Sequence, residues 1–173
     1  MKRCNILIIT FWIAFTFFPV YTSAQQKTAN IINPMSFYCT LKQTNWCWAA
    51  CNQMLLNSIG VNETQENQVI KLFGQLVNQG AGPNYEKARL ALGGNYTNSN
   101  GVTVTISPYV SYLQQGNTND PVVIINHLEN GIPIVMATQM HGRVCVGVDY
   151  LQNGQYIQIT TLRLLDSPLA QVW

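Results

Sequence analysis

Charge is what this chain has least of. Only 9% of its 173 residues are Asp, Glu, Lys or Arg, against roughly 25% in an average soluble protein. With nine basic and seven acidic residues there is no basic stripe, and nucleic-acid binding, which requires one, is excluded. Internal repeats and long linkers are absent as well, which excludes a solenoid and leaves room for one domain. What the chain has instead is 47% hydrophobic residues, enough for a core and too many for global disorder. Its polarity comes from amides, 18 Asn and 15 Gln, so the expected surface is polar but nearly uncharged.

The start of the chain reads separately. Lys2 and Arg3 precede an apolar run over residues 6–20, and Thr22-Ser23-Ala24 supplies small residues at its exit. This order is that of a secretory signal peptide. The run is shorter than the ~20 residues that span a bilayer, so no stable membrane anchor is expected after its removal. Cleavage is expected after Ala24, leaving residues 25–173 as the mature domain in a secreted or periplasmic setting. Removing Lys2 and Arg3 leaves that domain with no formal net charge. Four cysteines remain, Cys39, Cys47, Cys51 and Cys145. Export makes disulfides their default fate, but their spacing is not that of a small disulfide scaffold.

Residues 25–42 read as an extended entry segment. Asn45 is placed to cap a helix over 46–58, with Cys47, Ala50, Cys51, Met54, Leu55 and Ser58 on one stripe of mostly small residues, ended by Gly60. Asn62 with Gln65 resembles a capping pair for a second helix to about residue 78, whose buried face is Val69, Ile70, Phe73, Leu76 and Val77. After breaks at Gly80 and Gly82-Pro83, a third helix covers 85–92. Residues 95–100 form a polar loop, 102–106 a strand, and 108–115 fits neither pattern. Asp120-Pro121 favours a helix start, although Val122 to Ile125 is β-branched; Asn130-Gly131 tips the segment towards a short helix. Strands are expected over 132–138, 143–150 and 155–165, with a hairpin turn at Asn153-Gly154. Helices first and strands last make an α+β fold with a C-terminal antiparallel sheet.

The chemistry concentrates in Gln43-Thr44-Asn45-Trp46-Cys47-Trp48-Ala49-Ala50. A cysteine in the first turn of a helix meets unsatisfied amides and the positive end of the dipole, which favour an anionic sulfur. A glutamine four residues upstream can aim its amide at the same space as the cysteine's own N–H, giving two oxyanion donors. A base is needed, and the mature chain has only His127 and His141. His127 falls inside a helix among apolar residues and reads as structural. His141 opens a strand and is the candidate base. Asp166 is the candidate orienting acid, because the hairpin at Asn153-Gly154 folds it back towards His141; Asp149 competes but lies near the turn. A zinc site on Cys47, Cys51, His141 and Cys145 is disfavoured, since the last two stand about 13 Å apart on a strand and cannot share one ion. Cys51 and Cys145 are read as core, and Cys39 stays unplaced, with a bridge to either left open. No cofactor and no metal are expected.

Gln-x3-Cys-Trp-Ala-Ala, a lone His before an apolar strand, and Leu165-Asp166-Ser167-Pro168 together resemble the papain-like cysteine peptidases. They are most similar to the compact bacterial branch of leader-processing peptidases, staphopains and secreted avirulence-type effectors. Residues 128–135 also resemble the helix end and strand that precede the histidine there. The resemblance implies a helical half with a central nucleophile helix, packed on a C-terminal antiparallel sheet or barrel. It implies Cys47 as nucleophile, His141 as base, Asp166 as orienting acid and Gln43 as oxyanion donor, acting on a protein or peptide substrate. The chain departs from the pattern at Met140 and Gly142-Arg143 around the histidine, and only seven residues follow Asp166. The short stretch before Gln43 leaves no room for a papain-type prodomain, so any latency would come from a separate inhibitor or immunity protein, or from delivery. Two other functions compete: a different Cys-His-Asp acyl transferase, transglutaminase-like or a cell-wall amidase, and a catalytically silent binding module.

Overall fold

Helix α1 (Cys47–Ser58) lies at the centre of the protein. The computed structural model describes residues 23–82, 85–109, 120–137 and 141–168. Within them the chain is α+β, in the order β1 (Gln25–Asn30), α1, α2 (Gln65–Phe73), α3 (Glu86–Leu92), β2 (Gly94–Thr97), β3 (Thr103–Ile106), α4 (Pro121–Glu129), β4 (Ile134–Ala137), β5 (Gly142–Asn153) and β6 (Tyr156–Leu165). The expected signal sequence as far as Thr22, most of the unassigned 108–115 stretch, Pro83 and Met140 lie outside the described residues.

The single apolar stripe expected on α1 is too narrow. Trp48, Ala49, Ala50, Cys51, Asn52, Met54 and Leu56 are all buried, as in a helix enclosed by its fold rather than laid on its surface. Three core clusters meet on it. Cys51 and Met54 pack with Val144, Cys145 and Val148 of β5 and with Ile125 and Leu128 of α4. Trp48 and Ala49 pack with Val69 of α2 and with Ala88 and Ala91 of α3. Leu56 packs with Val61 and Leu92. Small residues at 49–51 allow neighbours to approach from several directions.

The amides are not only surface polarity. Asn52 Nδ2 donates to the Ala88 carbonyl at 2.8 Å and Gln68 Nε2 to the Ala49 carbonyl at 3.3 Å, tying α1 to both neighbouring helices. Fully buried Gln65 donates to the Thr40 carbonyl and accepts from the Lys42 N–H, fixing the segment that leads towards α1. Neutral amides can cross-link a core without the desolvation cost of a charge.

Helix α2 is shorter than expected. Thr64, not Asn62, caps it by accepting from the Asn67 N–H, and Gly74 ends it in the left-handed conformation. Ile70 and Leu76 are exposed. The chain leaves the helix because residues 77–79 have another task. Val77 and Gln79 carbonyls accept from the indole N–H groups of Trp46 and Trp48, and Asn78 bonds to Thr44 and to Asn45. Asn45 is therefore held by Asn78 and is not the cap; that position falls to Trp46, which offers no side-chain cap.

β5 organises the sheet. One edge pairs with β6; the other pairs first with β4 and then with β1. The expected extended entry is thus partly a strand, and the expected loop over 95–100 contains β2, paired with β3. Among the described residues the four-stranded sheet stays open rather than closing into a barrel. α4 begins as expected, with Asp120 accepting from Val122 N–H and Pro121 in the first turn. The hairpin turn is Gly154-Gln155, one residue later than expected, with Asn153 paired to Tyr156.

Trp48 is fully buried, edge-on to Phe73, and hydrogen-bonded. Trp48→Ala is expected to destabilise the fold by about 3–5 kcal/mol in urea denaturation. Trp48→Phe, which keeps a ring but strands the Gln79 carbonyl, is expected to cost on the order of 1–3 kcal/mol.

Candidate active site

Cys47 is the first residue of α1 and is half-buried. Its position is set by the clamp from residues 77–79, since both flanking tryptophans are pinned there. With no side-chain cap from Trp46, the N–H groups of the first turn are left to act on whatever sits at the helix end. The Tyr85 hydroxyl lies 3.7 Å from Cys47 Sγ.

The other half of the site is built by the β5–β6 hairpin. Pairing slips by one residue between Asp149 and Tyr150 and again between Cys145 and Gly147. The first slip adds a residue on β6 and the second adds one on β5, so the two bulges cancel. Continued beyond Val144↔Leu165, the restored register sets Arg143 opposite Asp166, with His141 two residues further along on the same face. The contacts agree: His141 Nε2 lies 2.6 Å from Asp166 Oδ1, and Arg143 Nε donates to Asp166 Oδ2 at 2.9 Å. Hydrogen bonding to His141 first, and to Arg143 after it, holds the Asp166 carboxyl below its ordinary range. Asp149 is taken up elsewhere, by both oxygens with Arg163 and by one with Thr28.

α1 packs directly against β5 and β4, so the helix that Cys47 begins rests on the sheet whose strand β5 follows His141. Tyr85 spans the two halves. A Cβ built on Gly142, next to His141, would fall 2.7 Å from the Tyr85 hydroxyl and 3.0 Å from its ring. Burial first, and then the contact with Cys47, raises this phenol above its ordinary range.

Gln43 is placed differently. It is exposed in the turn before α1, where its carbonyl accepts from the Trp46 N–H. It lines a shallow cavity of about 290 Å³ with Lys42, Trp46, Glu66, Leu76, Val77 and Asn78. Among the described residues no hydrogen bond joins its side chain to Cys47. The remaining thiols are structural in setting. Burial pushes Cys39 up to about 11 and also raises Cys51 and Cys145. All four are unbridged. His127 is half-buried on α4, its Nδ1 on the Val123 carbonyl at 2.8 Å.

Sequence reasoning did not find Tyr85. Its only signal was a position just after the Gly82-Pro83 break. Arg143 was noticed, but as a neighbour of the histidine, not as a second partner of Asp166. No family model matches the chain, and no curated protein or solved structure is significantly similar to it.

The lowered Asp166 titration has a signed consequence. Its contribution to stability is present above the ordinary carboxylate range and is lost as pH falls through its folded value. Half of this side chain is exposed, so the amount is on the order of 1 kcal/mol or less. Melting temperatures measured from pH 7 to pH 3 are expected to fall less steeply in Asp166→Asn than in the unaltered protein.

Proposed function

We propose that this protein is a secreted cysteine peptidase with a papain-like arrangement, cleaving peptide bonds through an acyl-thioenzyme. The observation that carries the reading is the contact between His141 Nε2 and Asp166, at the end of the β5–β6 hairpin whose strand β5 packs against the helix that Cys47 begins. A carboxylate on Nε2 fixes the ring orientation and gives the base function to Nδ1. Nδ1 takes the proton of Cys47, the thiolate attacks the substrate carbonyl, and the imidazolium returns the proton to the departing amine. Water, activated by the same imidazole, then releases the acyl group. Asp166 supports the imidazolium in each half-reaction while Arg143 keeps the carboxylate ionised and in place.

Three further points favour the peptidase reading. The other thiols are raised by burial, which leaves Cys47, at a helix N-terminus, the thiol suited to nucleophilic work. β1 begins at Gln25, so cleavage after Ala24 would leave every described helix and strand intact. Gln43 and the first-turn N–H groups of α1 lie on the same end of the helix, where an oxyanion would form. Substrate approach brings the Gln43 amide, exposed in the apo protein, onto that oxyanion; catalytic hydrogen bonds often tighten only in the complex.

Cys47→Ala is expected to abolish peptide hydrolysis while retaining the fold, because Ala suits the small-residue start of α1. Full hydrolysis in that variant would contradict the proposal. Gln43→Ala is expected to slow hydrolysis by about 10²-fold or more and to leave iodoacetamide alkylation of Cys47 nearly unchanged, since alkylation forms no oxyanion. Loss of both rates would instead make Gln43 a support of the helix entry.

A further inference from the structure

Tyr85 carries two conformational costs that packing alone does not explain. Its φ is +54°, a left-handed conformation that is strained for a bulky residue and that Gly or Asn would adopt more easily. It stands at the N-cap position of α3 yet makes no side-chain cap. Opposite it, β5 opens with Gly142, where any Cβ would collide with the phenol. A glycine in a strand packs nothing and weakens pairing, and it often marks a close approach by another group. Both features lead to the same outcome, a hydroxyl held 3.7 Å from Cys47 Sγ. The ring itself is anchored against the cluster of Trp46, Trp48 and Ala88, so the hydroxyl is presented by a fixed lever.

We propose that Tyr85 is a further catalytic residue of this site, its hydroxyl donating a hydrogen bond to the Cys47 sulfur and stabilising the thiolate. The inference rests on the cysteine peptidase reading, to which it adds a residue. When His141 Nδ1 takes the proton, the S–H bond breaks, an N–H bond forms, and sulfur keeps the electron pair. The O–H bond of Tyr85 stays intact throughout. The contact is long for the neutral thiol and shortens as charge develops on sulfur, since charge-assisted bonds are the shorter and stronger ones. Burial first, and then Cys47, raise the phenol well above its ordinary range, so it remains a donor at any pH at which the peptidase would work. The titratable and charged groups around the pair are Cys51 on α1, His141 and Arg143 at the start of β5, and Asp166 after β6.

The test is Tyr85→Phe in the full mature chain, with Cys47 alkylation by iodoacetamide followed across pH by peptide mapping. A hydrogen bond to a charged group is worth enough for an order of magnitude. Alkylation at neutral pH is therefore expected to fall about tenfold, with the profile midpoint displaced upward by about one pH unit and the alkaline plateau unchanged. Peptide hydrolysis should fall in parallel, unlike in Gln43→Ala. A purely structural role would lower the plateau or the melting temperature and leave the midpoint in place, and would overturn the proposal. Faster alkylation would overturn it too, by making the ring an obstruction. Gly142→Ala supplies a second arm: it should displace the midpoint when residue 85 is Tyr and add nothing in a Tyr85→Ala background, where no ring is left to collide. Equal effects in both backgrounds would count against the proposal. If the unaltered protein hydrolyses no peptide, the peptidase reading fails, yet the alkylation profiles still decide whether Tyr85 acts on the sulfur.

Discussion

The enclosure of α1 is the constraint on which the rest of the structure depends. A helix buried on nearly every side needs neighbours in every direction, and the chain supplies them from both halves: α2 and α3 on one side, β5 and α4 on the other. At its N-terminal end the half-buried Cys47 lies between the buried Trp46 and Trp48. The tryptophans on either side serve the same end. Their rings fill the helical core and their N–H groups hold residues 77–79 across the helix entry. The N-terminal end of α1 is thus fixed by the two largest side chains near it, while the thiol between them stays half-buried.

β5 is the complementary element. It is paired along both edges over most of its length and largely buried, and His141 stands immediately before its first residue. The position of Asp166 depends on two bulges that offset each other. With only one, β6 would present its other face and the carboxylate would point away from His141, because a one-residue slip inverts every side chain of a strand. Arg143 gives the carboxylate a second partner, so Asp166 sits between imidazole and guanidinium and is held below its ordinary range.

How much of this was legible depended on where the information lay. The Asp120-Pro121 start of α4 follows from local capping chemistry and the meeting of His141 with Asp166 from the hairpin, whereas Cys47 falls in the first turn of α1 although Asn45 does not cap it. The His141–Asp166 pairing succeeded although the turn was placed one residue early, because the two residues meet diagonally and long polar side chains tolerate that offset. β1 was not legible: in Gln25–Asn30 only Ala29 is buried, so no alternation marks it and its strand character comes from pairing with β5. β2 was hidden in the same way, as a short exposed pair to β3. α2 was read as too long because Leu76 and Val77 continue a helical spacing, whereas the demand for carbonyls under Trp46 and Trp48 ends the helix at Gly74. The buried amides Asn52, Gln65 and Gln68 looked like surface because composition does not tell which amides face inward. Tyr85 reaches Cys47 only through tertiary packing across 38 residues, which no spacing pattern encodes.

Under the proposed function, His141 activates one thiol of four. Labelling of the folded protein with an epoxide-type thiol probe, followed by peptide mapping, tests it most directly. The account predicts modification of Cys47 alone, lost on denaturation and lost in His141→Ala. Equal modification of several cysteines, or labelling of Cys47 that survives both denaturation and removal of His141, would contradict it.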